Sequence, residues 1–193
     1  MRRPALAALA VALLTTTPAG AQVQAIEPTF QLDRRRDVRG PLDVVRVAMS
    51  TRTDGSLRAD LTMRRRWDTA DVGEGGSLCV KLYVRAEPGA QVPEYLVCAT
   101  PPAEGTALAG RVVRNRPNGL PRTLAEAAVT RPTARTIHLR FEPSTIRRPA
   151  SLKFVGETVW RGTRCPRAAG CADLAPDAPG ARDFRLRRDG LSG

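Results

Sequence analysis

Aromatic residues are scarce: Phe, Trp and Tyr together make up 4% of the 193 residues, so Val, Leu, Ile and Ala must supply most of any core. Histidine occurs once, at His138, which leaves no basis for a histidine-built metal site or a His-rich catalytic cluster. No Gly-x-Ser-x-Gly elbow is present, and no acidic pair stands out for glycosidic chemistry. Cys-x-x-Cys spacing is missing as well, which argues against zinc. Lysine is confined to Lys81 and Lys153, so the 31 basic residues are almost all arginine. After the N-terminal segment no apolar run approaches the ~20 residues of a membrane span.

The N-terminus itself has a pattern. Met1-Arg2-Arg3 is a short positive region, Ala5 to Thr17 is apolar, and Ala19-Gly20-Ala21 offers small residues to a signal peptidase. Residues 1–21 are therefore expected to be a signal peptide cleaved before Gln22, directing the chain out of the cytoplasm. The remainder, 22–193, has the length of one domain. It keeps a strongly basic balance, the whole chain carrying a formal charge of +12. Four cysteines in an exported chain are expected to be disulfide-bonded. Three connectivities exist; nearness along the chain favours Cys79 with Cys98 and Cys165 with Cys171.

Alternation of apolar and polar residues then predicts strands. Val45, Val47 and Met49 alternate with Val44, Arg46 and Ala48. After the turn Thr53-Asp54-Gly55-Ser56, Leu57, Ala59, Leu61 and Met63 alternate again, which is a hairpin signal. Trp67 to Asp71 suggests a helical turn. Further strands are expected over 78–84, 95–100, 108–114, 124–131, 136–141, 152–160 and 184–187, with a loop-rich, disulfide-tied segment from about 161. The predicted fold is all-β: an antiparallel β-sandwich, jelly-roll or immunoglobulin-like, with two disulfides.

The stretch from Leu32-Asp33 through Asp37-Val38-Arg39-Gly40-Pro41-Leu42-Asp43-Val44, followed by a strand, a turn and Leu57-Arg58-Ala59-Asp60-Leu61-Thr62-Met63, resembles the start of family 9 carbohydrate-binding modules. The ending, from Cys165 to Cys171 and on to Phe184-Arg185-Leu186-Arg187, resembles a layout of secreted bacterial proteins of unassigned function. The first resemblance implies a β-sandwich that holds sugar between aromatic side chains. Here only Trp67, Trp160, Tyr83 and Tyr95 could take that role.

Three site readings follow. Arg66-Trp67 and Trp160-Arg161 suggest stacking platforms, flanked by Arg64 and Arg65. Asp33, Asp37 and Asp43, with Asp173 and Asp177 near the end, suggest structural calcium, although the interleaved Arg34, Arg35, Arg36 and Arg39 could neutralise these acids instead. Arginine clusters at 34–36, 64–66, 147–148, at 161, 164 and 167, and at 182, 185, 187 and 188 suit phosphate, sulfate or carboxylate, or are simply solvated surface. His138, between Ile137 and Leu139, should face away from the side those residues bury. The composite expectation is a secreted, non-catalytic binding domain for a polysaccharide or anionic envelope polymer. The alternative is a structural or protein-interaction domain, marked by an exposed apolar patch or an open sheet edge. A hydrolase would require a cleft with converging acids.

Overall fold

The computed structural model describes residues 28–33, 38, 40–84, 92–102, 107–116, 119–161, 165, 170–176 and 182–186. The expected signal peptide, Arg34 to Arg36, Asp37, Arg39, Arg164, Arg167, Asp177, Arg187 and Arg188 lie outside the described residues.

The chain is all-β, as the alternation predicts. Its strands are β1 (Thr29–Leu32), β2 (Val44–Thr51), β3 (Leu57–Met63), β4 (Ser77–Tyr83), β5 (Tyr95–Thr100), β6 (Ala109–Arg116), β7 (Gly119–Thr130), β8 (Thr136–Phe141), β9 (Ser151–Trp160), β10 (Cys171–Ala175) and β11 (Arg182–Arg185). One short helix, α1 (Thr69–Val72), is closed by a capping box between Asp68 and Asp71, and a 3₁₀ turn spans Pro143–Ile146. Pairing is antiparallel throughout, in the order β1-β2-β3-β8-β7-β6-β5-β4-β9-β10, with β11 also on β9.

The sandwich expectation called for two sheets; the structure has one open, continuous sheet. The reason is the length of β7. Its first part pairs with β6, from Arg116↔Gly119 to Gly110↔Ala127, and its last three residues pair with β8, from Ala128↔Arg140 to Thr130↔His138. One strand thus belongs to both halves. The inward positions of the two halves meet directly: a Cβ on Gly156 of β9 would sit 2.7 Å from Leu61 Cδ2 and 3.3 Å from Val47 Cβ. A side chain at 156 would therefore force the halves apart.

The core follows the period-two pattern. Leu57, Ala59, Leu61 and Met63 of β3 are fully buried, as are Leu78, Val80 and Leu82 of β4 and Ile137 and Leu139 of β8. The Asp54-Gly55 turn closes the β2–β3 hairpin, with the Asp54 carboxylate accepting from the Ser56 N–H at 3.0 Å and from its hydroxyl at 2.5 Å. Two strands escape the sequence pattern. β1 is short, and β10 (CADLA) falls in the segment expected to be loop-rich.

Both predicted disulfides are present, and among the described residues no cysteine is free. Cys79 and Cys98 are direct cross-strand partners on β4 and β5, with Cα atoms 4.0 Å apart. The bridge closes a loop of sequence separation 19. Such a loop constrains the unfolded chain by about 3 kcal/mol. A Cys79→Ala/Cys98→Ala double variant should lose about that much in urea unfolding; an unchanged midpoint would contradict it. Two disulfides fit an oxidising environment outside the cytoplasm. No helix among the described residues is long and apolar enough to cross a membrane.

Candidate anion-binding surface

The two tryptophans are not platforms. Trp67 is 4% exposed and Trp160 1% exposed, so neither offers a ring face to a sugar. Tyr95 is buried too, at 3%. The reason is tertiary. Trp67 lies where the chain leaves β3, and its indole Nε1 donates to the Arg135 carbonyl at 3.2 Å. The Arg131 guanidinium stacks on its ring, 4.0 Å from the centroid, and donates to the Trp67 carbonyl. Arg135 Nε donates to the Met63 carbonyl at 2.9 Å. The stacking predicted from Arg-Trp adjacency is therefore made internally, with an arginine from the β7–β8 connection.

The acids expected to hold calcium also have other uses. Asp43 is buried and accepts from Arg64 Nε at 2.7 Å, so Arg64 is committed to an ion pair. Asp33 is buried at the end of β1, and its N–H donates to the Val45 carbonyl at 2.9 Å. Asp173 is buried and accepts the Val44 N–H at 2.6 Å. Among the described residues no group of three acidic, His or Cys side chains is placed to hold a metal ion. The interleaved Arg34, Arg35, Arg36 and Arg39 expected to neutralise these acids lie outside the described residues; the arginine that pairs with Asp43 is Arg64.

Other arginines remain available. Arg65, Arg66, Arg147, Arg148 and Arg161 are exposed, and none has an ion-pair partner among the described residues. Arg147 and Arg148 both have left-handed backbone, with φ of 64° and 44°. For a residue with a Cβ that conformation costs roughly 1–2 kcal/mol. Glycine would remove the cost but also the charge.

One basic feature of the described residues is legible only from strand pairing. Across the β6–β7 hairpin, Arg114 stands directly opposite Arg122, and Arg116 opposite Gly119. Arg114 is also the cross-strand partner of Tyr95, so this row continues into the core. Arg116 and Arg122 are exposed and Arg114 is half-buried. None of the three has a carboxylate partner among the described residues. Like charges directly opposite each other destabilise a hairpin. The sequence carries only part of the signal: a two-residue turn at Asn118-Gly119 would set position 122 opposite 115, and the register shift between Arg114 and Arg116 sets it opposite Arg114 instead.

A second polar cluster occupies the outer face of β3 and β8. As expected, His138 faces away from Ile137 and Leu139. Its Nε2 lies 3.6 Å from Asp60 Oδ1, which is also 3.0 Å from Arg58 Nε. Burial pushes the Asp60 carboxyl above the usual range, opposed by the charges of His138, Arg58 and Arg46. Burial pushes the His138 imidazole below its usual value of 6.5, with Asp60 opposing and Arg58 and Arg52 adding to the shift. The folded state thus binds the imidazole proton less tightly than the unfolded chain. His138 therefore contributes stability that is present above 6.5 and lost as pH falls through its lowered folded value. Asp60 acts in the opposite sense: its contribution is present below 3.8 and lost as pH rises through the raised folded value. A His138→Gln variant should lose the decline in urea midpoint that the parent shows on acidification below about pH 6.5. The same decline in both proteins would rule this pair out as its source.

No family model, curated protein or solved structure matches the chain.

Proposed function

We propose that this chain is a non-catalytic binding domain, working outside the cytoplasm, whose ligand is an anionic polymer. The observation that carries the reading is the Arg114–Arg122 juxtaposition, a charge arrangement that costs stability and that no described acid relieves. The arginines at 65, 66, 147, 148 and 161 are exposed as well. Arginine suits sulfate, phosphate and carboxylate because its planar fork binds two oxygens at once. A neutral sugar is less well served, since Trp67, Trp160 and Tyr95 are all in the core. The resemblance to family 9 modules is retained for architecture. We read the bent sheet, with Gly156 packed on Val47 and Leu61, as a sandwich whose two faces share β7.

The test separates binding from stability. Arg122→Glu places a carboxylate opposite Arg114, which should stabilise the hairpin by about 0.2–1 kcal/mol. The same change should weaken retention on an immobilised sulfated polysaccharide at least tenfold, and should lower the slope of log affinity against log salt. Neutral polysaccharide should not retain the protein. Failure of every polyanion to retain the parent at low salt would end the proposal, and full retention by Arg122→Glu would move the site away from the β6–β7 hairpin.

A further inference from the structure

The β6–β7 hairpin presents backbone as well as charge. Residues 128–130 of β7 pair with β8, whereas residues 119–127 pair only with β6. Among the described residues nothing hydrogen-bonds to their other side. Along such an edge every second residue directs its N–H and C=O outward, a template for one more strand. Residues 119–124 are exposed, and Leu120 and Leu124 are 87% and 38% exposed. The segment therefore stands clear of the core.

We propose that the free edge of β7 from Gly119 to Ala127 accepts an extended acidic polypeptide as an added strand, with carboxylates of the incoming strand paired to Arg122 and Arg114. This rests on reading the hairpin as the anion-binding element, and it names the polymer as a polypeptide. Two considerations select that occupant. Another peptide backbone matches the spacing of a row of strand-edge N–H and C=O groups, which a polysaccharide or nucleic acid does not, so those polymers would rely mainly on the arginines. Charge selects the composition. A second copy of this edge would bring arginine against arginine, and Pro121 withholds a donor, so self-pairing is opposed by the means natural edges commonly use. An incoming glutamate next to Arg122 would reverse that repulsion.

The full chain would be titrated with a nine-residue peptide alternating glutamate and valine, and with two versions N-methylated on alternate residues, one on each set. Strand addition predicts that methylation of one set, the one facing β7, weakens binding at least tenfold while the other set is tolerated. Amide chemical-shift changes should cluster at 119–127, and Arg122→Glu should weaken the parent peptide. Equal binding of both methylated peptides would overturn strand addition and leave simple charge attraction. If the parent peptide fails to bind while a sulfated polysaccharide is retained, this inference fails and the anionic-polymer reading stands. If neither is bound, both fail.

Discussion

Trp160→Ala is expected to destabilise the protein by about 3–5 kcal/mol, the range for emptying a buried aromatic site. Total stabilities of domains this size run from about 5 to 15 kcal/mol, so the variant should be partly unfolded or nearly so. Trp160 ends β9, is 1% exposed, and stands opposite Cys171 of β10. The loop before β2 lies flat on its indole: a Cβ on Gly40 would be 2.4 Å from the ring's Cζ2. Alanine would leave the Gly40 loop and the disulfide-bearing strand beside a hole. The indole Nε1 is buried with no hydrogen-bond partner among the described residues, a state that costs about 1–3 kcal/mol. Trp160→Phe removes that N–H along with part of the ring, so the two effects oppose each other. We expect Trp160→Phe to lose less than about 2 kcal/mol. Denaturant midpoints of the two variants check this; equal losses would show that packing is not what the residue supplies.

Asp173→Ala is expected to cost about 3–4 kcal/mol, because it removes a charge-assisted bond and leaves a buried N–H without its acceptor. Asp173 of β10 is 2% exposed and accepts from the Val44 N–H at 2.6 Å, across 129 positions of sequence. A parallel tie runs from the Thr158 hydroxyl of β9 to the Leu42 carbonyl at 2.7 Å. Together they fix the entry to β2 against the far end of the sheet. Asp173→Asn keeps an acceptor oxygen and should recover more than half of the loss. If Asn and Ala are equally damaging in thermal and urea unfolding, the negative charge rather than the acceptor is what Val44 requires.

Much of this fold is legible as alternation. Leu57 through Met63, Leu78 through Leu82 and Ile137 through Phe141 each show one buried and one outward face, and the structure keeps those faces. The disulfides are legible because the expected pairs are near in sequence, and for Cys79 and Cys98 because both lie on alternating strands. β10 is not legible: its buried position 173 is an aspartate, which breaks the apolar alternation because it serves a backbone N–H in another strand. The tryptophans mislead for a related reason. Arg66 and Arg161 are their sequence neighbours, but the guanidinium on the Trp67 ring comes from Arg131, 64 positions on. Long-range pairing decides burial, and no local pattern encodes it. The Arg114–Arg122 pair lies between these cases: local in origin, but visible only when the chain is folded at its turn.

The order of strands also governs when the structure can form. β3 finds its second partner in β8, joining residues 57–62 to 136–141, and β4 finds its own in β9, joining 77–83 to 153–159. Both closures span roughly 70–85 residues and interleave, so neither half of the sheet is finished before most of the chain exists. Folding should accordingly be slow for the length, in the millisecond-to-second range of non-local β proteins. A chain halted before β8 would hold Leu57, Leu61 and Met63 on a strand with one side open and their cover absent, which is the condition under which β proteins associate wrongly.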